Sequence, residues 1–279
     1  NNGGYTIKFP VTMTANKNFS VSTVSPNDAL DFWSSNAQIS TTGTGSISLS
    51  AKRNITVNTG TSLTTVNGGI SLQSNLLDQG IGNFNGLFVQ GLIRTTGSGA
   101  ITLEGHGGND ASGLPQKGVL IDTGGVVEST SVSNGGSITL TAARNIIIGS
   151  AARVQTISGV IVLQANVAGT GQGEFSGVVV NGQVLSEGTG SISIEGRGGN
   201  ATNKTLQRGV VVPTGGIVES KAITNGGSIT IVGYGGTGTN TNVGVDVTGS
   251  PSTSGGTVRS STGDIKITGS GNGTGNTNI

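Results

Sequence analysis

Two stretches decide the fold: "ISLSAKRNITV" at 47–57 and "ITLTAARNIII" at 138–148. Each opens on an apolar-polar-apolar triplet, Ile47-Ser48-Leu49 and Ile138-Thr139-Leu140. That triplet recurs with its first residue at Ile47, Ile70, Ile101, Ile138, Ile161, Ile192, Ile229 and Ile265. The spacings run 23, 31 and 37, repeat as 23, 31 and 37, and continue with 36. Residues 47–137 and 138–228 are therefore two gapless copies of 91 residues, sharing about 39 identities. A long fixed period made of shorter strand units marks a solenoid.

Working outward from the triplet, each unit reads as three short strands. In the shortest they are 47–50, 54–57 and 62–66, joined by turns too short for helices. Alternation points Ile47 and Leu49 inward and Ser48 and Ser50 outward. In the longer units the second strand becomes "GLFV", "GVLI" or "GVVV" and the third becomes "GLIRT" or "GVVES". No helical period appears over any useful length. The expected fold is all-β: a parallel β-helix with about three strands per rung and eight or nine rungs, some 40 Å long at about 4.8 Å per rung. Columns of Ile, Val and Leu fill the interior, where stiff β-branched side chains pack well.

Asn54 and Asn145 stand at a corner that Gly fills in other rungs, which predicts positive φ there. "NGG" at Asn67, Asn134 and Asn225 is expected to turn the chain by the same chemistry. Residues 1–46 are the least regular and form a diverged first rung with a cap-like segment. "VTMTANKNFSV" aligns its Val11 with Ile47. Phe32 and Trp33 are expected to pack near this N-terminal end, the sharper alternative being a platform for stacking sugars. Residues 47–279 carry the repeats, as 47–137, 138–228 and a partial 229–279.

Composition limits the function. Of 279 residues 52 are Gly, only 10% are charged and 3% are aromatic, and the net charge is +1. This balance does not suggest a nucleic-acid partner. No stretch approaches the roughly 18 apolar residues of a membrane helix, so membrane insertion is not expected. The absence of Cys removes disulfides and thiolate metal sites.

The longer rungs place most of their extra residues between the first and second strands, at 75–85, 105–117, 166–176, 196–208 and 233–242. These loops are expected to project from one edge of the rod. Repeat proteins commonly bind on the face that carries insertions. The candidate binding residues on this edge are His106, Asp110, Lys117, Arg197, Lys204, Arg208 and Tyr234. Phe84 and Phe175, which precede the second strand at the same site, are expected to position loops rather than touch a ligand.

Other chemistries are weaker. A glycosidase needs two carboxyls about 5 to 9.5 Å apart. The recurring pairs Glu104 with Glu195, and Glu128 with Glu219, lie three rungs or roughly 14 Å apart. Asp78, Asp110 and Asp122 do not recur and could meet other acids across adjacent rungs. "GHGGNDASG" at 105–113 lacks tandem copies, and its counterpart "GRGGNATNK" lacks the Asp, against the several carboxylates calcium normally takes. His106 is the only histidine, and Arg197 stands at its counterpart. The outward columns are small and polar without the regular Thr grid of an ice-binding face. No catalytic residue, metal site or cofactor is expected.

Phrases such as "NGGSITLTAARNIIIGS" and "GTGSISIEGRGGN" resemble the β-strand repeats of secreted bacterial surface proteins, the filamentous haemagglutinin-like exoproteins and adhesins. The resemblance implies a parallel β-helix, export through the outer membrane, an extracellular or cell-surface location, and attachment or structural work. It implies host or surface glycans or proteins as partners. A polysaccharide lyase or hydrolase on the same fold is the alternative.

The C-terminal sequence "ITGSGNGTGNTNI" repeats the start of "IVGYGGTGTNTNV", so Ile279 stands where Val243 stood. A strand is due at that point. The expectation is end-to-end contact, with further repeats of the same polypeptide or with another copy.

Overall fold

The structure, a computed structural model, describes residues 4–33, 35–109, 116–249 and 255–273. Among these residues there is no helix, and the strands form three parallel sheets of nine strands each. Each strand pairs with the strand three earlier and three later in the chain, so every set of three makes one rung. The chain is a parallel β-helix of about nine rungs.

The rung around 138–156 shows the plan. Ile138–Ala142 lies in one sheet, Ile146–Ile148 in the next and Arg153–Thr156 in the third. In chain order we call the sheets running from Gly4–Ile7 to Val245–Val247, from Val11–Thr12 to Thr257–Ser260, and from Phe19–Ser22 to Ile265–Ser270 the first, second and third. The repeated triplet is the third sheet, in unbroken register: Ile47 opposite Ile70, Ile101 opposite Ile138, Ile161 opposite Ile192.

The core follows from that register. Ile138, Leu140, Ile161, Leu163 and Ile194 are fully buried and Ile192 almost so, each on its equivalent one rung away. The third sheet therefore has the alternation read from the sequence. Each buried Ile or Leu is worth roughly 1.5–3 kcal/mol relative to exposure.

The N-terminal register differs from the sequence expectation. Phe19, not Val11, stands opposite Ile47, and Val11 stands opposite Ile39 in the second sheet. The likeness of "VTMTANKNFSV" to "ISLSAKRNITV" is shared alternation, which any two strands on one-sided sheets display. Phe32 joins the core, but Trp33 is 71% exposed and packs into no cap. The period of two turns Trp33 away from the side that Phe32 occupies.

The corner chemistry also differs. Asn54 and Asn145 do not have positive φ, and neither do Gly86, Gly118, Gly177, Gly209 and Gly244. Gly is needed there because rungs approach closely: a Cβ on Gly118 would sit 2.6 Å from the Cβ of Ala142. The "NGG" turns work in the same way, since only Asn225 of the three asparagines has positive φ. Gly45, Gly68, Gly99, Gly136, Gly159, Gly190, Gly227 and Gly263 stack as a column. From Gly68 on, an added Cβ would collide with the preceding glycine's carbonyl oxygen.

Beside that column runs a buried hydroxyl column: Thr41, Thr65, Thr95, Ser129, Thr156, Ser186 and Ser220. Thr65 donates to the Gly68 carbonyl at 2.6 Å, and Thr156 accepts from the Gly159 amide at 2.9 Å. Short hydroxyl side chains can satisfy turn backbone without filling core volume.

Candidate functional site

The five long loops leave from one corner, where the third sheet passes to the first, while the longer turns 130–137 and 221–228 lie where the second sheet passes to the third. The short form of the third-to-first passage is Lys52–Asn54 or Ala143–Asn145; the long forms span 75–86, 106–118, 166–177, 198–209 and 235–244. Gly108 donates its amide to Phe84 O at 3.0 Å, and Gly199 donates to Phe175 O at 3.0 Å. Gly236 bonds to Gln207 O at 2.7 Å and Thr239 to Lys204 O at 2.8 Å. The edge is thus a ridge in two groups, 75–86 with 106–118 and 166–177 with 198–209 and 235–244, separated by the short passage Ala143–Asn145, each group held by main-chain hydrogen bonds between its loops.

The loops 75–86 and 166–177, equivalent in the two copies of the repeat, each begin on an asparagine in the left-handed region, Asn75 at φ 52° and Asn166 at φ 51°. Asn75 accepts from the Gly80 amide at 2.8 Å and donates to Gly107 O at 3.1 Å. Asn166 makes the same two bonds with Gly171 at 2.8 Å and Gly198 at 3.1 Å. Asparagine tolerates this φ, and its amide closes both the loop and the contact to the next rung.

Phe84 and Phe175 are buried at the loop ends, at equivalent places in the two copies. The guanidinium of Arg53 lies over the Phe84 ring at 4.5 Å and that of Arg144 over Phe175 at 5.1 Å. Burial lowers the pKa of both arginines from the ordinary value; for Arg53 the nearby charge of Asp31 acts in the opposite direction. These arginines and the two asparagines were missed in reading the sequence. Their signal was present, since all four recur at the 91-residue spacing.

The candidate charged residues are mostly matched within the ridge. His106 Nδ1 meets Asp78 Oδ1 at 2.9 Å, Lys204 Nζ meets Glu174 at 3.3 Å, and Arg208 Nε meets Asp246 at 2.9 Å. Arg197 lies over the Tyr234 ring at 4.5 Å. The Lys117 amide bonds to Asn85 Oδ1 at 3.2 Å. Asp110 lies outside the described residues. The structure brings Arg197 and Tyr234 together and gives His106, Lys204 and Arg208 separate side-chain partners.

Three of the recurring acids, and the non-recurring Asp122, have partners too. Glu128, nearly buried on the outer side of the second sheet, takes Arg94 on one flank and Arg153 on the other, the latter at 3.3 Å. Glu219 meets Arg259 Nε at 2.7 Å, and this bond raises the arginine's pKa. Glu104 accepts from Gln73 at 3.4 Å, and Asp122 from Gln90 at 3.1 Å. Among the described residues no three His, Cys, Asp or Glu side chains gather as a metal site. The described part of the ridge offers a polar surface carrying charges of both signs.

The fold defines a class, the parallel β-helix, and the comparisons go no further. No protein-family model matches the chain, and no curated protein and no solved structure matches it either.

Proposed function

We propose that this chain is a non-catalytic structural and adhesive rod, a segment of an extracellular bacterial surface protein or filament, working end to end with further rungs of its own kind. The observation that carries this reading is the unbroken parallel stacking of three nine-strand sheets, which further rungs would extend in the same register. Ile265 and Ile267 are 43% and 47% exposed, while Ile229 and Ile231 directly beneath them are fully buried. The inward columns of Val245, Val258 and Ile265 present apolar surface and unpaired strand edges together. Natural proteins cover such edges.

At the opposite end Ile7, Val11, Phe19 and Val21 are only partly buried, at the inward positions of the same three sheets. Stacking one end on the other would continue all three sheets in parallel. Contact of that kind does not close on itself and propagates as a filament. Further rungs of the same polypeptide would cover the edges equally well. The repeat style of the filamentous haemagglutinin-like exoproteins supports either form, with the loop ridge as the first choice for contact with surface glycans or proteins.

Electron microscopy and mass measurement on the natively produced protein test the proposal. Filaments built from a subunit near 27.5 kDa support assembly between copies. Long rods from a much larger polypeptide support continuation within one chain. Dispersed short rods of about 40 Å, monomeric with both ends bare, overturn both.

A further inference from the structure

Trp33 follows the end of its first-sheet strand Ala29–Phe32, whereas the loop ridge lies at the start of the first-sheet strands, so its side chain marks a second surface. The chain has nine aromatic residues, and only Tyr5, Phe9 and Trp33 are exposed. Tyr5 stands opposite buried Leu30 in the first rung, so its exposure belongs to the open end. Trp33 is different because it lies one rung in. Its amide bonds to Ile7 O of the first rung at 3.3 Å, and Asn58 of the third rung donates to Phe32 O at 2.7 Å on its other side. A rung added beyond Gly4–Ile7 would cover the end of the stack and leave the lateral face of Trp33 bare.

The outer face of the first sheet supplies the neighbours. Leu30, Phe32, Ile55 and Val57 point into the core, so Asp31 and Trp33, and Thr56 and Asn58, point out. Thr6, Asp31 and Thr56 share one row across three rungs. Continuing the register by one residue puts Lys8, Trp33 and Asn58 in the next row. Asp31 and Trp33 are then about 7 Å apart along the strand. A shallow polar depression lined by Tyr5, Thr6, Asp31, Arg53 and Asn54 adjoins the row.

We infer that this face binds a pyranose glycan, with Trp33 as the stacking surface and Asp31, Asn58 and Lys8 as partners for the sugar hydroxyls. The chemistry follows from what surrounds the indole. A pyranose ring has one face of C–H groups with partial positive charge, which the electron-rich face of an indole attracts. Its rim carries hydroxyls that need both acceptors and donors. Asp31 offers a carboxylate, Asn58 retains its side-chain oxygen, and Lys8 offers an ammonium. An interface core for a protein partner is depleted in charged residues and packs at interior density. The described positions beside Trp33 on this face, Lys8, Asp31 and Asn58, are instead polar or charged.

Trp33 is the only tryptophan in the chain, so its fluorescence reports on this face alone. The full chain is titrated with soluble hexasaccharides of glucose, mannose, galactose and N-acetylglucosamine up to 10 mM, about the range of weak single-site sugar binding. The expected result is a saturable blue shift and protection from acrylamide quenching with at least one of them. In calorimetry with that sugar, Trp33→Ala should lose binding, Trp33→Phe retain part of it, and Asp31→Ala weaken it about tenfold, or 1.4 kcal/mol. Circular dichroism should be unchanged in all three, because these side chains lie outside the core. No response to any of the four sugars, or equal binding by Trp33→Ala, overturns the inference. So does a blue shift that grows with protein concentration in the absence of sugar, which assigns the face to another copy.

Discussion

Arg144 holds its guanidinium carbon 5.1 Å from the centre of the Phe175 ring, at the root of the loop that leaves the rod beside it. The first copy of the repeat makes the same contact between Arg53 and Phe84 at 4.5 Å. Arg144 reaches one further partner, Gln116, at 3.3 Å. A buried cation over an aromatic face is worth about 0.5–2 kcal/mol. A double-mutant cycle with Arg144→Ala and Phe175→Leu should return a coupling in that range by denaturant unfolding. A coupling of zero would mean that the two residues only share a neighbourhood.

The glycine column makes a sharper test. Gly136→Ala places a methyl against the Gly99 carbonyl, which cannot move without shifting a whole rung. Gly124 has φ 82° and open space around the position of a Cβ. Gly124→Ala should therefore cost only the strain of a left-handed residue, about 1–2 kcal/mol. Gly136→Ala should cost clearly more and reduce soluble yield. If the two variants melt together, close approach is not what fixes glycine at this corner.

Core truncation should follow the stacking. Ile161→Ala removes a side chain enclosed by Ile138 and Ile192, and should destabilise by about 2–5 kcal/mol. Ile265→Ala, at the exposed end of the same column, should cost much less while that end is uncovered. Equal losses at the two positions would show that Ile265 is buried in solution, by another rung.

Loop removal separates scaffold from surface. The three residues Ala143–Asn145 already make the passage that 166–177 makes at greater length. Replacing the longer passage by the shorter should leave the far-ultraviolet circular dichroism β-rich. It would remove the bonds from Gly199 and Asn200 to that loop and loosen 198–209. Collapse of the β signal would mean that the ridge supports the rungs, contrary to this account.

The sequence alone determined the architecture. Side-chain alternation has a period of two, and the repeated triplets at 23, 31 and 37 residues fix which strands stack. Both signals are local or periodic, and the duplication at 91 residues displays them twice. It also located the loop edge, because a passage of variable length between constant strands leaves from a constant corner. Only the tertiary structure decided what the corners require. Gly118 and Gly136 look like turn residues in the sequence, but their constraint is the neighbouring rung, which no local pattern encodes. The N-terminal register belongs here too: Val11 and Phe19 both begin alternating stretches, and only pairing with Ile39 and Ile47 tells them apart. Ion pairs such as Lys204 with Glu174 depend on the reach of flexible side chains across 30 residues of separation. Trp33 carries the same lesson, since one step along a strand separates the buried core from the open face, and the pairing of the rung sets which side Trp33 takes.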